Sequence, residues 1–215
     1  MRNLMSKQHY RVVIAYLFPC LFLLLLAVLA YFTDMDIRYG TNDDSAMANN
    51  LAGLVNGASF GEPRLIYISA FIGSVLAFLK GAAPDIDWYA LMHLSLCFVA
   101  LMLISHTWLT RHRTILMLFA YLTVVAVYMT PVFAHMQFSK TSFMLVLGGL
   151  ISLVLALEQD CKKRNIIASV VFFVIAFMVR DASIGITAVT IAALLGYRFL
   201  FMSPSSRTLR PSRVV

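Results

Sequence analysis

The sequence predicts an all-α integral membrane protein, with about six transmembrane helices and one short interfacial or re-entrant helix in its first outer loop. Three observations lead there. First, 61% of the 215 residues are hydrophobic and only 13% are charged, with mean hydropathy +0.85. A soluble domain carries about 45–50% apolar and about 25% charged residues, so an ordinary water-soluble globule is excluded, and so is disorder. Second, the apolar residues fall in long runs separated by short polar segments. Third, the formal charge of +7 is carried in small basic clusters between those runs, which is how orientation signals look. No polar domain gathers the basic residues, so nucleic acid is not an expected partner. Cys20, Cys97 and Cys161 form no CxxC pair and predict neither a disulfide framework nor a zinc site.

Each element follows from its residues. Arg2, Lys7 and Arg11 precede a run over residues 12–32. About 21 residues rising 1.5 Å each cross a hydrocarbon core of about 30 Å. The run is longer than a signal-peptide core and reads as an uncleaved anchor. An outer loop follows over 33–87, with Asp34, Asp36, Asp43, Asp44 and Glu62 against Arg38 and Arg64. Further spans are expected at 88–105, 115–133, 141–157, 166–180 and 183–202. The Ser/Pro/Arg-rich tail 203–215 reads as disordered.

The apolar stretch 65–79 is treated differently. Arg111 and Arg113, Lys162-Lys163-Arg164, and Arg207, Arg210 and Arg213 should share the cytoplasmic side with the basic N-terminus. Counting 65–79 as a span would put the N-terminus opposite all three. At about 15 residues the stretch reaches only about 22 Å as a helix, short for a crossing. With it lying along the membrane, both termini are cytoplasmic and the acidic loop faces outward. A plasma-membrane, multi-pass protein contacting lipid is the expectation.

Several residues on the outer side carry candidate chemistry. Asp43 and Asp44 are adjacent carboxylates just past the first span, able to act as a general base or to hold a divalent metal through oxygen. On composition alone, a solvated loop with a helix N-cap is the favoured reading of them. Asp85 and Asp87 form a DxD spacing, a weak metal candidate, yet acidic residues also suit the start of the helix that follows. Arg64, Lys140 and Arg180 stand where they can meet a lipid phosphate, or else snorkel to headgroups. His135 and Gln137 lie in the connection before Lys140. His93 sits inside a span and requires a partner in the bundle. No P-loop, GxSxG or HExxH is present, which weighs against ATPase, serine hydrolase and zincin readings.

The order of these features resembles a known arrangement. Asn42-Asp43-Asp44 follows the first span. Gly61-Glu62-Pro63-Arg64-Leu65-Ile66-Tyr67 and an apolar short helix come next, then Ile86-Asp87-Trp88-Tyr89 at the next span. Gln137-Phe138-Ser139-Lys140-Thr141-Ser142 and Val179-Arg180-Asp181-Ala182-Ser183 mark later span ends. Residues 1–185 resemble the N-terminal part of the GT-C-type multipass membrane glycosyltransferases, in particular a bacterial branch of them. The resemblance implies an outward-facing transferase that takes a sugar from a polyprenyl-phosphate donor to a cell-envelope acceptor. It implies an acidic catalytic residue at Asp43 or Asp44, with Arg64, Gln137, Lys140 and Arg180 binding substrate. It also implies an apolar groove between the short helix and the spans for the prenyl chain. The segment His135–Lys140 carries no carboxylate where such enzymes often have one, which departs from a metal site. The chain is also short for the class, as a truncated relative would be. A non-enzymatic subunit or scaffold, partnered with a larger membrane protein in glycan synthesis, is the alternative. A small transporter is the third reading.

Overall fold

The computed structural model describes residues 13, 16–29, 38–53, 65, 67–111, 115–158 and 163–201. Within them the chain is a bundle of helices. They are α1 (Tyr16–Leu29), α2 (Asn42–Leu51), α3 (Ala70–Ala82), α4 (Trp88–Arg111), α5 (Ile115–Val124), α6 (Thr130–Ala134), α7 (Phe138–Glu158), α8 (Lys163–Val179) and α9 (Ser183–Phe201). Two short strands, β1 (Arg38–Tyr39) and β2 (His135–Met136), pair in parallel with Arg38 opposite His135. That ladder is absent from the all-α expectation. It ties the loop after the first apolar run to the connection between α6 and α7.

Local chemistry sets the helix ends. Asp87 caps α4 by accepting the Ala90 N–H at 3.0 Å. Ser69 caps α3 by accepting the Ile72 N–H at 3.4 Å, and its own N–H donates to the Met178 carbonyl at 2.8 Å. The short helix therefore starts at Ala70, five residues later than the apolar stretch suggested. It also runs past Lys80, whose ammonium turns back onto the Pro84 and Ile86 carbonyls. Leu65 and Ile68 are buried in the core instead. Residues 125–129 form a π turn between α5 and α6. Pro131 explains it, since its ring lacks an N–H and crowds the carbonyl four residues back, and a widened turn relieves both.

The long helices alternate in direction. The starts of α4, α7 and α9 and the ends of α6 and α8 gather at one end, beside α2. At the other end Arg111 meets Glu158 at 2.5 Å and the Trp108 indole donates to the Met117 carbonyl at 3.0 Å. Helix α7 is central. Its Gly148 and Gly149 face Phe172 and Phe173 of α8; a Cβ on Gly149 would lie 2.6 Å from the Phe173 ring. Ser169 donates to the Gly149 carbonyl at 2.9 Å and Ser142 to that of Ala176 at 3.1 Å, so these two buried hydroxyls are spent on backbone. One buried cluster joins α2, α3, α4, α7 and α8 around Met47, Leu51, Tyr89 and Leu145. A second joins α1, α4, α5, α6 and α7 around Leu26, Leu101, Tyr121, Phe133 and Met144.

Among the described residues, three helical stretches are long and apolar enough to cross a membrane: Trp88–Leu109, Leu116–Ala134 and Phe138–Glu158. This fits an all-α membrane protein. It does not reach the six crossings expected. Tyr16–Leu29, Ala70–Ala82 and Ser183–Gly196 are apolar but shorter. Helix α8 has 17 residues and opens with Lys163, Arg164 and Asn165, giving about 26 Å against a core of about 30 Å.

Candidate functional site

The twin aspartates divide sharply. Thr41, extended at φ −140° and ψ 162°, is the N-cap of α2, and its hydroxyl accepts the Asp44 N–H. The same hydroxyl donates to Asp44 Oδ2 at 2.5 Å, a reciprocal capping arrangement. Asp44 Oδ1 accepts the Tyr89 phenol at 3.0 Å and the Phe138 N–H at 2.9 Å. Its side chain is wholly buried. The carboxylate thus fastens α2 to the starts of α4 and α7, and its oxygens are occupied by donors. Asp43, one residue earlier, is exposed.

Tyr39 builds the next layer. Its phenol donates to Asp87 Oδ2, and its ring meets Tyr89 edge-on with centroids 5.6 Å apart. Burial, and then the hydrogen bond to Asp87, raise the Tyr39 pKa above its ordinary 10.0, so the phenol stays a donor. Gly40 continues the ladder by donating to the Met136 carbonyl at 2.6 Å. A Cβ there would lie 3.2 Å from the Gln137 Cβ, so a glycine is what lets the two segments approach.

This layer is the wall of a polar cavity of about 610 Å³, lined by Arg38, Tyr39, Gly40, Thr41, Asn42, Ser45, Asp87, His135 and Met136. A second cavity of about 400 Å³ is almost wholly apolar. It lies between the short helix α3 (Phe71, Ile72, Val75), helix α4 (Trp88, Leu91, Met92) and the end of α8 (Ile175, Met178). Asp87 belongs to the first and its neighbour Trp88 to the second. The two volumes therefore flank one turn at the start of α4, a polar chamber beside an apolar groove.

The other expected site residues are scattered. Gln137 offers its carbonyl to the Thr141 N–H at 3.0 Å and so starts α7. The Lys140 ammonium donates to the Pro131 and His135 carbonyls at 3.1 and 3.0 Å, closing the end of α6. Arg180 donates to the Ser139 hydroxyl and lies 5.3 Å over the Phe138 ring; it lines neither cavity. Arg64 lies outside the described residues. Asp85 is exposed, while both oxygens of Asp87 accept hydrogen bonds. No group of three His, Cys, Asp or Glu able to hold a metal ion occurs among the described residues. His93 finds its bundle partner in Thr141, at 2.8 Å.

Sequence reasoning missed Arg38, Tyr39 and Tyr89 as site residues. A signal existed for part of this: Thr41-x-x-Asp44 has capping spacing, and a carboxylate so placed between apolar elements needs donors from them. No known family model matches the chain, and no curated protein or solved structure is significantly similar to it.

Proposed function

We propose that the chain is a GT-C-like membrane glycosyltransferase, moving a sugar from a polyprenyl-phosphate donor to a cell-envelope acceptor on the outer face of the plasma membrane. The observation that carries this is the polar cavity abutting the apolar groove across Asp87-Trp88. That pairing suits an amphiphile with a polar sugar-phosphate head and a long apolar tail. The prenyl chain would lie between α3, α4 and α8, the groove anticipated from the sequence. Arg38 in the cavity supplies a planar cation for the phosphate.

In this reading the acceptor hydroxyl oxygen bonds to the anomeric carbon, and the bond from that carbon to the phosphate oxygen breaks. The electron pair leaves on the polyprenyl phosphate, facing Arg38. The hydroxyl proton passes to a carboxylate. Asp87 is the carboxylate lining the cavity, and a general base there contributes on the order of 10²–10⁴-fold. Asp44, occupied by its three donors, is a positioning residue. No step is routed through a metal.

The threading that accompanies this function has six crossings and both termini in the cytoplasm. Helices α1, α8 and α9 would complete the three longer spans, and α3 would lie along the outer interface. It is supported by Arg111, at the end of α4, and Lys163-Arg164, at the start of α8, lying at the end opposite the cavity, where the positive-inside rule asks for basic residues.

The test is a cell-envelope glycan assay in cells lacking the protein, complemented with variants. Asn is a good N-cap, so Asp87→Asn keeps α4 in place. Asp87→Asn and Arg38→Gln are expected to abolish the product at normal protein levels, and Asp43→Asn to preserve it. Full restoration by both of the first two overturns the catalytic reading. One observation favours a second reading, a non-enzymatic subunit of a larger glycan-synthesis complex: Asp44, a carboxylate the resemblance marks as catalytic, is committed to holding helices together. Co-purification of a larger multipass protein, with glycans indifferent to Asp87 and Arg38, marks that outcome.

A further inference from the structure

Arg180 lies at the reversal between α8 and α9, half-buried, and pairs with no carboxylate among the described residues. The nearby Asp181 accepts the N–H of Ala182 at 2.7 Å. One guanidinium nitrogen of Arg180 donates to Ser139, which leaves most of its five N–H donors unspent. A half-buried cation without a counter-charge is costly. It lines a slot of about 110 Å³ between the starts of α7 and α9. Ser183 lines the same slot, is 5% exposed, and its hydroxyl makes no hydrogen bond among the described residues. Two unspent polar groups thus face one small volume, and one of them is positive. The remaining walls include Phe143, Val146 and Ile186. Phe143 and Ile186 are each 59% exposed and lie on helices that pack on their other faces, so the slot opens on an apolar flank.

We propose that this slot binds a membrane phospholipid by its phosphodiester, with an acyl chain lying against Phe143 and Ile186. The guanidinium meets the phosphate oxygens with its remaining N–H groups, and the Ser183 hydroxyl gives a further donor. The apolar walls favour a lipid over free phosphate, which has nothing to place there. The site is separate from the donor cavities, whose walls do not include Arg180, and it does not depend on the transferase reading. Its consequence is that the α8–α9 reversal is held at a fixed depth by a lipid.

The experiment uses the full chain, purified in mild detergent and stripped of lipid, then titrated with phosphatidylglycerol and read by native mass spectrometry. The wild-type chain is expected to retain a bound lipid. Arg180→Gln is expected to weaken retention roughly tenfold, the scale of one lost charge-assisted interaction, and Arg180→Lys to weaken it less. Ile186→Trp, on the lipid-facing surface, keeps the cation and narrows the slot, and should also lose lipid. It serves as the test if Arg180→Gln does not fold. Wild-type retention by either Arg180→Gln or Ile186→Trp overturns the proposal. Displacement of the lipid by an equal concentration of inorganic phosphate overturns the lipid assignment in favour of a simple anion site.

Discussion

Asp43 and Asp44 are neighbours in sequence and differ in everything that matters energetically. Asp44→Ala would leave the Tyr89 phenol and the Phe138 N–H without their acceptor in the interior, at about 1–3 kcal/mol for each stranded donor. The expected outcome is a large fall in the midpoint of thermal unfolding in detergent. Asp43→Ala, at an exposed position, should shift it by no more than about 0.5 kcal/mol equivalent. Equal effects would contradict the assignment of Asp44 as a fastening group. Tyr39 adds a pH signature. Its pKa is raised in the fold, so the fold favours the protonated phenol. That contribution is complete below the ordinary value of 10.0 and is lost as pH rises through the higher folded value. Tyr39→Phe should therefore flatten the alkaline limb of the stability profile.

Among the elements, the α7–α8 seam depends on two glycines. A methyl at Gly149 would stand 2.6 Å from the Phe173 ring, and one at Gly148 2.9 Å from that of Phe172. Gly149→Ala is expected to cost about 1–3 kcal/mol through overpacking, and adding Phe173→Leu should recover part of it, which a double-mutant cycle measures. The long helices were legible in the sequence because unbroken apolar runs admit little else in a membrane. The spans expected at 88–105 and 141–157 are extended in the structure to Trp88–Arg111 and Phe138–Glu158, since hydropathy sees the apolar centre and not the capped ends. The start of α2 was legible as a helix cap at the twin aspartates, whereas the β1–β2 ladder was not. Arg38–Tyr39 and His135–Met136 are nearly a hundred residues apart, and two-residue strands leave no periodicity to read. The apolar groove was anticipated from the short helix, whereas the polar cavity was not. Its walls are polar groups that only the ladder brings together. Lys140 looked like a phosphate ligand for want of any sign in the sequence that α6 would end where its ammonium reaches.

The whole molecule has two chemically unlike ends, and the proposed threading fixes which compartment each meets. A cysteine introduced at Asp85 is expected to react with a membrane-impermeant thiol reagent applied to intact cells. One at Arg111, beside Glu158, should react only after permeabilisation. The reverse pattern would turn the cavity toward the cytoplasm and remove an outward-facing transferase from consideration.

The central claim is that the polar cavity and the adjoining groove together receive the head and tail of a polyprenyl phosphate. A polyprenyl phosphate carrying a photoreactive group in its chain, irradiated with the purified protein and mapped by peptide mass spectrometry, addresses it most directly. Adducts on Phe71, Val75, Leu91 and Met92 that disappear in Arg38→Gln are the expected result. Adducts confined to the exposed flanks of α5 and α9, indifferent to that substitution, would contradict it.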